Sequence, residues 1–165
     1  ADIMSMAKAL GAGMPIGGVI YREKIVECLK PGDHFSTFGG NPVCCAMALE
    51  NIKYLQEEGL IENSRKLGAE FMKALDELKD DHEIVGDVRG LGLMIGIELV
   101  NDRKTLEPAV QATQEASKKL MKKGILIGTG GMEKNVLRIQ TPLCITPDQK
   151  DEVFSSLKDA LKALR

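Results

Sequence analysis

Past residue 60 the apolar residues keep changing period, and few folds accommodate the result. Leu67, Phe71, Leu75 and Leu78 recur at spacings of three and four, so a helix over residues 61–79 lays one face on a core. The polar tract 79–83 reads as a loop. Residues 84–89 and 91–100 read as strands, joined around Val88-Arg89-Gly90-Leu91-Gly92, where glycines permit a bend or bulge. Met94, Ile95, Ile97, Leu99 and Val100 make the second strand largely buried, and 101–104 is a turn. Pro108 is expected to open a helix reaching Lys123, with Ala109, Ala112, Ala116 and Leu120 inward and Gly124 as its stop. Residues 125–127 read as a short strand, 128–131 as a loop and 136–139 as a further strand. Thr146-Pro147-Asp148-Gln149 is a capping box with proline at the first helical position. The last helix runs to Leu164 with Val153, Leu157, Leu161 and Leu164 inward. Helix, strand, strand, helix, strand, strand, helix predicts an α+β layer: helices on one face of a small sheet.

Residues 1–59 differ in character. A short strand or buried turn over 3–8 leads to Lys8, and residues 11–18 hold four glycines. A strand over 18–21 follows, then a short helix from Arg22 with Ile25, Val26 and Leu29 on its apolar side, ended by Lys30-Pro31-Gly32-Asp33. Asn41 suits an N-cap and Pro42 the first turn of a helix reaching Glu57. Its apolar residues Val43, Met47, Leu49, Ile52 and Leu55 spread widely, which suggests burial on more than one side. This stretch has too little sheet for a core of its own. It reads as the tail of a larger domain, with 60–165 as a self-sufficient small domain. The chain opens at Ala1-Asp2-Ile3-Met4, inside a segment of buried character. A piece of a longer protein is therefore expected, with any targeting signal upstream.

Several function classes are excluded on composition. Net charge is −2, which leaves no footprint for nucleic acid or an anionic membrane. Aromatics are 4% with no Trp, which argues against stacking on single strands. No apolar run approaches the roughly 20 residues of a membrane span. Cys28, Cys44, Cys45 and Cys144 lack C-x-x-C spacing, and free thiols fit a reducing, cytoplasmic setting. His34 and His82 lie far apart and form no metal motif.

Three residues stand out for chemistry. Lys8, at a strand end beside glycine-rich backbone, could form a Schiff base with a carbonyl compound; a solvated surface amine fits the same position. Thr37 lies in a loop that feeds a helix start, where hydroxyl and backbone N–H groups can hold a phosphate; taken alone, Ser36, Thr37 and Asn41 read rather as residues that merely cap the helix. Arg138, within Val136-Leu137-Arg138-Ile139, could bind a carboxylate through two parallel hydrogen bonds, or be an edge arginine or a structural ion pair. Arg89 and Glu98 read as local structure.

Together the segments are more specific. D-I-M-S-M-A-K-A-L-G-A-G-M-P-I-G-G-V-I resembles the lysine segment of the class III (ω-type) pyridoxal-phosphate aminotransferases. H-F-S-T-F-G-G-N-P resembles the loop before their long interdomain helix. V-R-G-L-G-L-M-I-G-I-E-L and V-L-R-I-Q-T-P-L-C-I-T resemble two segments of their C-terminal domain. The order and spacing match over essentially the whole chain. The stretch around residues 83–98 is nearest to alanine–glyoxylate and 4-aminobutyrate-like members.

The resemblance implies fold type I of the pyridoxal-phosphate-dependent transferases, an α/β parent. This chain would hold the end of the large domain (1–59) and the small α+β domain (60–165). It implies pyridoxal 5'-phosphate as cofactor, a Schiff base on Lys8, which also shuttles the proton, and Thr37 as a donor to the cofactor phosphate across a homodimer. It implies Arg138 as the partner of the substrate carboxylate. The substrates would be an amino acid (alanine or an ω-amino acid) and a 2-oxo acid (glyoxylate, pyruvate or 2-oxoglutarate), in a ping-pong reaction. Mutase, decarboxylase and racemase chemistry on the same lysine, and a non-catalytic α+β module, remain alternatives. The family's acidic partner of the pyridine nitrogen, its phosphate cup and its stacking aromatic have no candidate here. This stretch alone is therefore expected to bind the cofactor weakly and not to transaminate.

Overall fold

The computed structural model describes residues 1–164. The chain divides into two compact units, Ala1–Gly59 and the part from Leu60 onward. No helix among the described residues is long and apolar enough to cross a membrane.

In the first unit β1 (Ile3–Met6) pairs antiparallel with β2 (Gly18–Tyr21), Met4 opposite Ile20. Between them Lys8–Gly11 forms one 3-10 turn. The strand stops at Met6, two residues short of the expected end, because Lys8 takes φ +52°, which no strand accepts. A single turn, α1 (Glu23–Val26), precedes α2 (Pro42–Glu57). The Asn41 side chain accepts from the N–H of Val43 (3.1 Å) and Cys44 (3.2 Å), and Pro42 lies in the first turn, as the sequence predicts. Within this unit the apolar residues are mostly uncovered. Ile3, Val19 and Ile20 are each more than half exposed, and only Cys44 and Ala48 of α2 are buried.

The second unit holds α3 (Leu60–Asp81), β3 (Val85–Leu91), β4 (Met94–Asp102), β5 (Glu107–Pro108), α4 (Val110–Lys122), β6 (Gly128–Gly130), β7 (Val136–Gln140) and α5 (Pro147–Lys162). The sheet order is β3-β4-β7-β6, all antiparallel, with β5 on the end of β4. Leu67, Phe71, Leu75 and Leu78 of α3 are all buried, as the period predicts. Phe71, Leu75 and Leu78 join Ile95, Ile97, Leu99, Leu137, Ile139, Ala116, Leu120, Leu157 and Leu161 in one core. Thr113, buried in α4, donates its hydroxyl to the Ala109 carbonyl at 2.9 Å. The Thr146–Gln149 capping box is present at the start of α5.

Four boundaries in the second unit also differ from the sequence reading. Helix α3 runs on to Asp81 through the tract expected to be a loop. The Arg103 guanidinium donates to the carbonyl of Lys79 in the last helical turn and to those of His82 and Glu83 just beyond it, so the helix end keeps partners. The β3–β4 connection is a tight hairpin at Gly92-Leu93, with Leu91 opposite Met94; the irregularity lies between Val85 and Asp87. Pro108 does not open α4. It pairs with Val100, and the Ala109 N–H bonds to the Leu99 carbonyl, so the helix starts at Val110. Residues 125–127 form no strand. The N–H of Ile125 bonds to the Leu120 carbonyl and that of Gly124 to Met121, a Schellman closure of α4. That closure delays the strand to Gly128–Gly130, the segment expected to be a loop.

Candidate active site

Lys8 is the first residue of the 3-10 turn. Its backbone is left-handed at φ +52°, and Ala12, closing the turn, is left-handed at φ +47°. A residue with a Cβ in that region stores of the order of 1–3 kcal/mol, and such outliers gather at functional sites. The lysine is exposed and has no hydrogen bond or ion pair among the described residues. Its amine is therefore available to a carbonyl compound.

Thr37 is exposed and opens the turn 37–40. The cap of α2 is the carboxamide of Asn41, not the Thr37 hydroxyl, so the capping alternative for Thr37 is removed. The glycine loop after Lys8 and the Thr37 loop meet at one cavity of about 270 Å3, lined by Ile16, Gly17, His34, Ser36, Gly40 and Asn41 among others. The first unit thus brings the two loops together, and Arg138 belongs to the second unit.

Arg138 lies on β7, one strand in from the edge strand β6. Leu137 and Ile139 are buried in the core, so the alternation points Arg138 to the sheet face away from the helices. Gly128 is its register partner on β6. A Cβ on Gly128 would come within 3.2 Å of the guanidinium, and one on Gly130 within 3.2 Å of Arg138 Cδ. The arginine side chain therefore lies across the backbone of β6, which is why that strand reads Gly-Thr-Gly.

A second arginine shares this face. Arg89 and Arg138 are both register partners of Gly96, from either side of β4. Their electrostatics differ. Arg89 donates to Asp87 and Glu98, both at 2.6 Å, and these bonds raise its guanidinium above its ordinary value, Asp87 contributing more than Glu98. The Arg138 side chain has no ion pair or hydrogen bond among the described residues. It is neither an edge arginine nor half of a structural pair, and its charge is free for an anion.

Sequence reasoning missed Asn51. Its carboxamide, on α2, donates to the carbonyls of Ala9 (2.8 Å) and Leu10 (3.1 Å) in the lysine turn. The available signal was a poor helix former in a helix interior with apolar neighbours. Among the described residues no group of three or more His, Cys, Asp or Glu could hold a metal ion.

The family model "Aminotransferase class-III" matches residues 1–161. The chain is 43% identical over 156 residues to alanine–glyoxylate aminotransferase 2 homolog 2, mitochondrial, of Arabidopsis thaliana, covering 94% of this chain and 33% of that protein. It is 40% identical to a leucine/methionine racemase of Thermococcus litoralis, covering 97% and 36%. Among solved structures it superposes on a phospholyase from Arthrobacter, in complex with phosphoethanolamine, with TM-score 0.91 at 30% identity, over 99% of this chain and 39% of that one. An aminotransferase of Bacillus anthracis gives TM-score 0.88 at 36% identity, over 98% and 39%. The chain thus spans about a third of the length of the curated relatives it matches. With the family model matched over residues 1–161, the chain belongs to the class III aminotransferases.

Proposed function

We propose that the chain is the lysine-bearing part of a pyridoxal-phosphate-dependent transaminase. It moves an amino group from an amino acid, alanine or an ω-amino acid such as 4-aminobutyrate, to glyoxylate, pyruvate or 2-oxoglutarate. The carrying observation is Lys8: an unpaired amine on a strained turn, beside a loop that meets a helix N-terminus. Class III aminotransferases are pyridoxal-phosphate enzymes. The residues present fit that group, with an amine for its carbonyl carbon and, in the Thr37 loop, a free hydroxyl near a helix start for its phosphate. When bound, the cofactor supplies an electron sink that weakens the bonds at the amine-bearing carbon.

Everything else is done by the protein's own side chains. Lys8 Nζ would hold the cofactor through its carbonyl carbon and, when not so engaged, would serve as the acid–base group that takes a proton from the substrate and returns it. The Thr37 hydroxyl donates to the phosphate of the neighbouring subunit of a homodimer. Arg138 binds the substrate carboxylate with its fork of donors, while Arg89, engaged by Asp87 and Glu98, leaves the anion to it. Residues 1–59 are the end of the large domain and 60–165 the small domain, in a cytoplasmic enzyme whose remaining site residues lie outside this stretch.

A second reading draws on the 40% identity to a racemase, since racemisation needs the same lysine proton transfer without an acceptor. Incubating the complete enzyme with an amino acid and each 2-oxo acid separates the two. Transamination yields a new amino acid that depends on the acceptor, whereas racemisation yields only inverted donor. Borohydride reduction with pyridoxal phosphate bound is expected to label Lys8 alone; equal labelling of several lysines overturns the assignment. Arg138→Ala is expected to raise the KM for the 2-oxo acid about 30- to 100-fold, the loss of a charge-assisted pair of hydrogen bonds. An unchanged KM removes Arg138 from the carboxylate site.

A further inference from the structure

We infer that Asn51 is a positioning residue for Lys8: a strut on α2 that holds the strained lysine turn in the one conformation that aims the amine. The inference rests on the functional reading above. Three observations carry it. The 3-10 turn is bracketed by two left-handed residues that are not glycine, Lys8 at φ +52° and Ala12 at φ +47°. Such a conformation persists only where its surroundings over-determine it. The bonds at the two ends of the turn are Leu10 N–H to Ala7 O at 3.1 Å and Ala12 N–H to Ala9 O at a long 3.4 Å.

The missing constraint comes from 41 and 42 residues away. The two N–H groups of the Asn51 carboxamide are divided between the carbonyls of Ala9 and Leu10. Adjacent carbonyls held by one rigid amide fix the peptide planes one residue beyond Lys8. Helix α2 is anchored in turn by the Asn41 side chain and Pro42 at its first turn. The reference frame for the lysine is therefore a four-turn helix, not the glycine-rich loop that follows it. A carboxamide is the right group because the turn offers only acceptors. A carboxylate would repel both carbonyls, and an aliphatic side chain would leave them to water.

The test compares Asn51→Leu and Asn51→Asp with wild type in the complete enzyme. Neither threatens the fold, since the position is half-buried on a helix and Leu is the better helix former. Without cofactor, amide exchange of the segment 8–14 is expected to quicken about tenfold in both variants, the loss of two neutral hydrogen bonds. With pyridoxal phosphate bound, the pH midpoint of the visible band is expected to move, and kcat to fall about tenfold at unchanged KM for the 2-oxo acid. Borohydride should still label Lys8. Faster exchange with an unmoved band and unchanged kcat makes Asn51 merely structural and overturns the inference. Unchanged exchange overturns the strut itself. If wild type is not labelled at Lys8, the functional reading fails and the positioning role falls with it; labelling at Lys8 with indifferent Asn51 variants sinks the strut alone.

Discussion

Lys8→Ala in the complete enzyme is expected to abolish the borohydride-trapped cofactor and to lower turnover roughly 10³-fold or more. Two functions are lost at once. The covalent anchor goes, and so does the acid–base group, which alone is worth about 10²–10⁴. Stability should respond differently. The lysine has no ion pair or hydrogen bond to lose among the described residues, so thermal unfolding should be nearly unchanged in Lys8→Ala. Comparison with Lys8→Gly isolates the backbone strain. In ordinary helical positions Ala→Gly costs about 1 kcal/mol, but at φ +52° glycine is the relaxed residue, so Lys8→Gly should be at least as stable as Lys8→Ala. An inactive variant that gains stability would show that the strain at this position is kept for activity. Turnover within tenfold of wild type in Lys8→Ala would overturn the assignment.

The candidate site residues stand out in the sequence because their residue types are unusual where they stand. A lysine before a glycine-rich loop, a threonine before Gly-Gly-Asn-Pro and an arginine inside an apolar strand each break a local pattern. What the sequence left open was which of two roles each one plays. Geometry removes the capping alternative for Thr37, because the Asn41 side chain accepts from the first N–H groups of α2. It removes the ion-pair alternative for Arg138, because Arg89 takes both acids on the shared face. Asn51 was invisible, since its partners are backbone carbonyls at a sequence separation of more than forty residues. Bonds to backbone leave no trace in the identity of the partner residue.

The fold shows the same division. Helices with chemical caps were legible to within a residue or two, as in α2 and α5. Strand limits were not, because they depend on which backbone groups neighbouring elements have already taken. Ile125 looks like a strand residue and is consumed by the closure of α4; Gly128–Gly130 looks like a loop and pairs with β7. The glycines there serve the arginine that lies over them, a relation between residues ten positions apart on paired strands.

The same point about glycine gives the largest expected effect on stability. Gly68 sits inside α3 and is buried, where propensity alone would favour alanine by about 1 kcal/mol. A Cβ there would fall 2.3 Å from the carbonyl carbon and oxygen of Gly92 and 2.6 Å from its Cα. Backbone, unlike the far end of a side chain, cannot swing aside. Gly92 itself is left-handed at φ +56° in the β3–β4 hairpin, and a Cβ on it would meet Ser64 Oγ at 2.6 Å. The Ser64 hydroxyl in turn accepts from the Leu93 N–H at 3.3 Å. The hairpin thus docks on α3 through a glycine–glycine contact held by one serine. Gly68→Ala is expected to destabilise the small domain by about 2–3 kcal/mol net of the propensity gain, a drop in Tm of about 10 °C. Ala69→Gly, one residue on and exposed, is the control and should cost only the usual ~1 kcal/mol. Equal stability of Gly68→Ala and wild type would mean the hairpin does not dock there. On the proposed carboxylate role of Arg138, which lies in a sheet whose second strand begins at this hairpin, the variant in the complete enzyme should also raise the KM for the proposed 2-oxo acid before it lowers kcat. Movement of β4 reaches Arg138 through their shared register at Gly96.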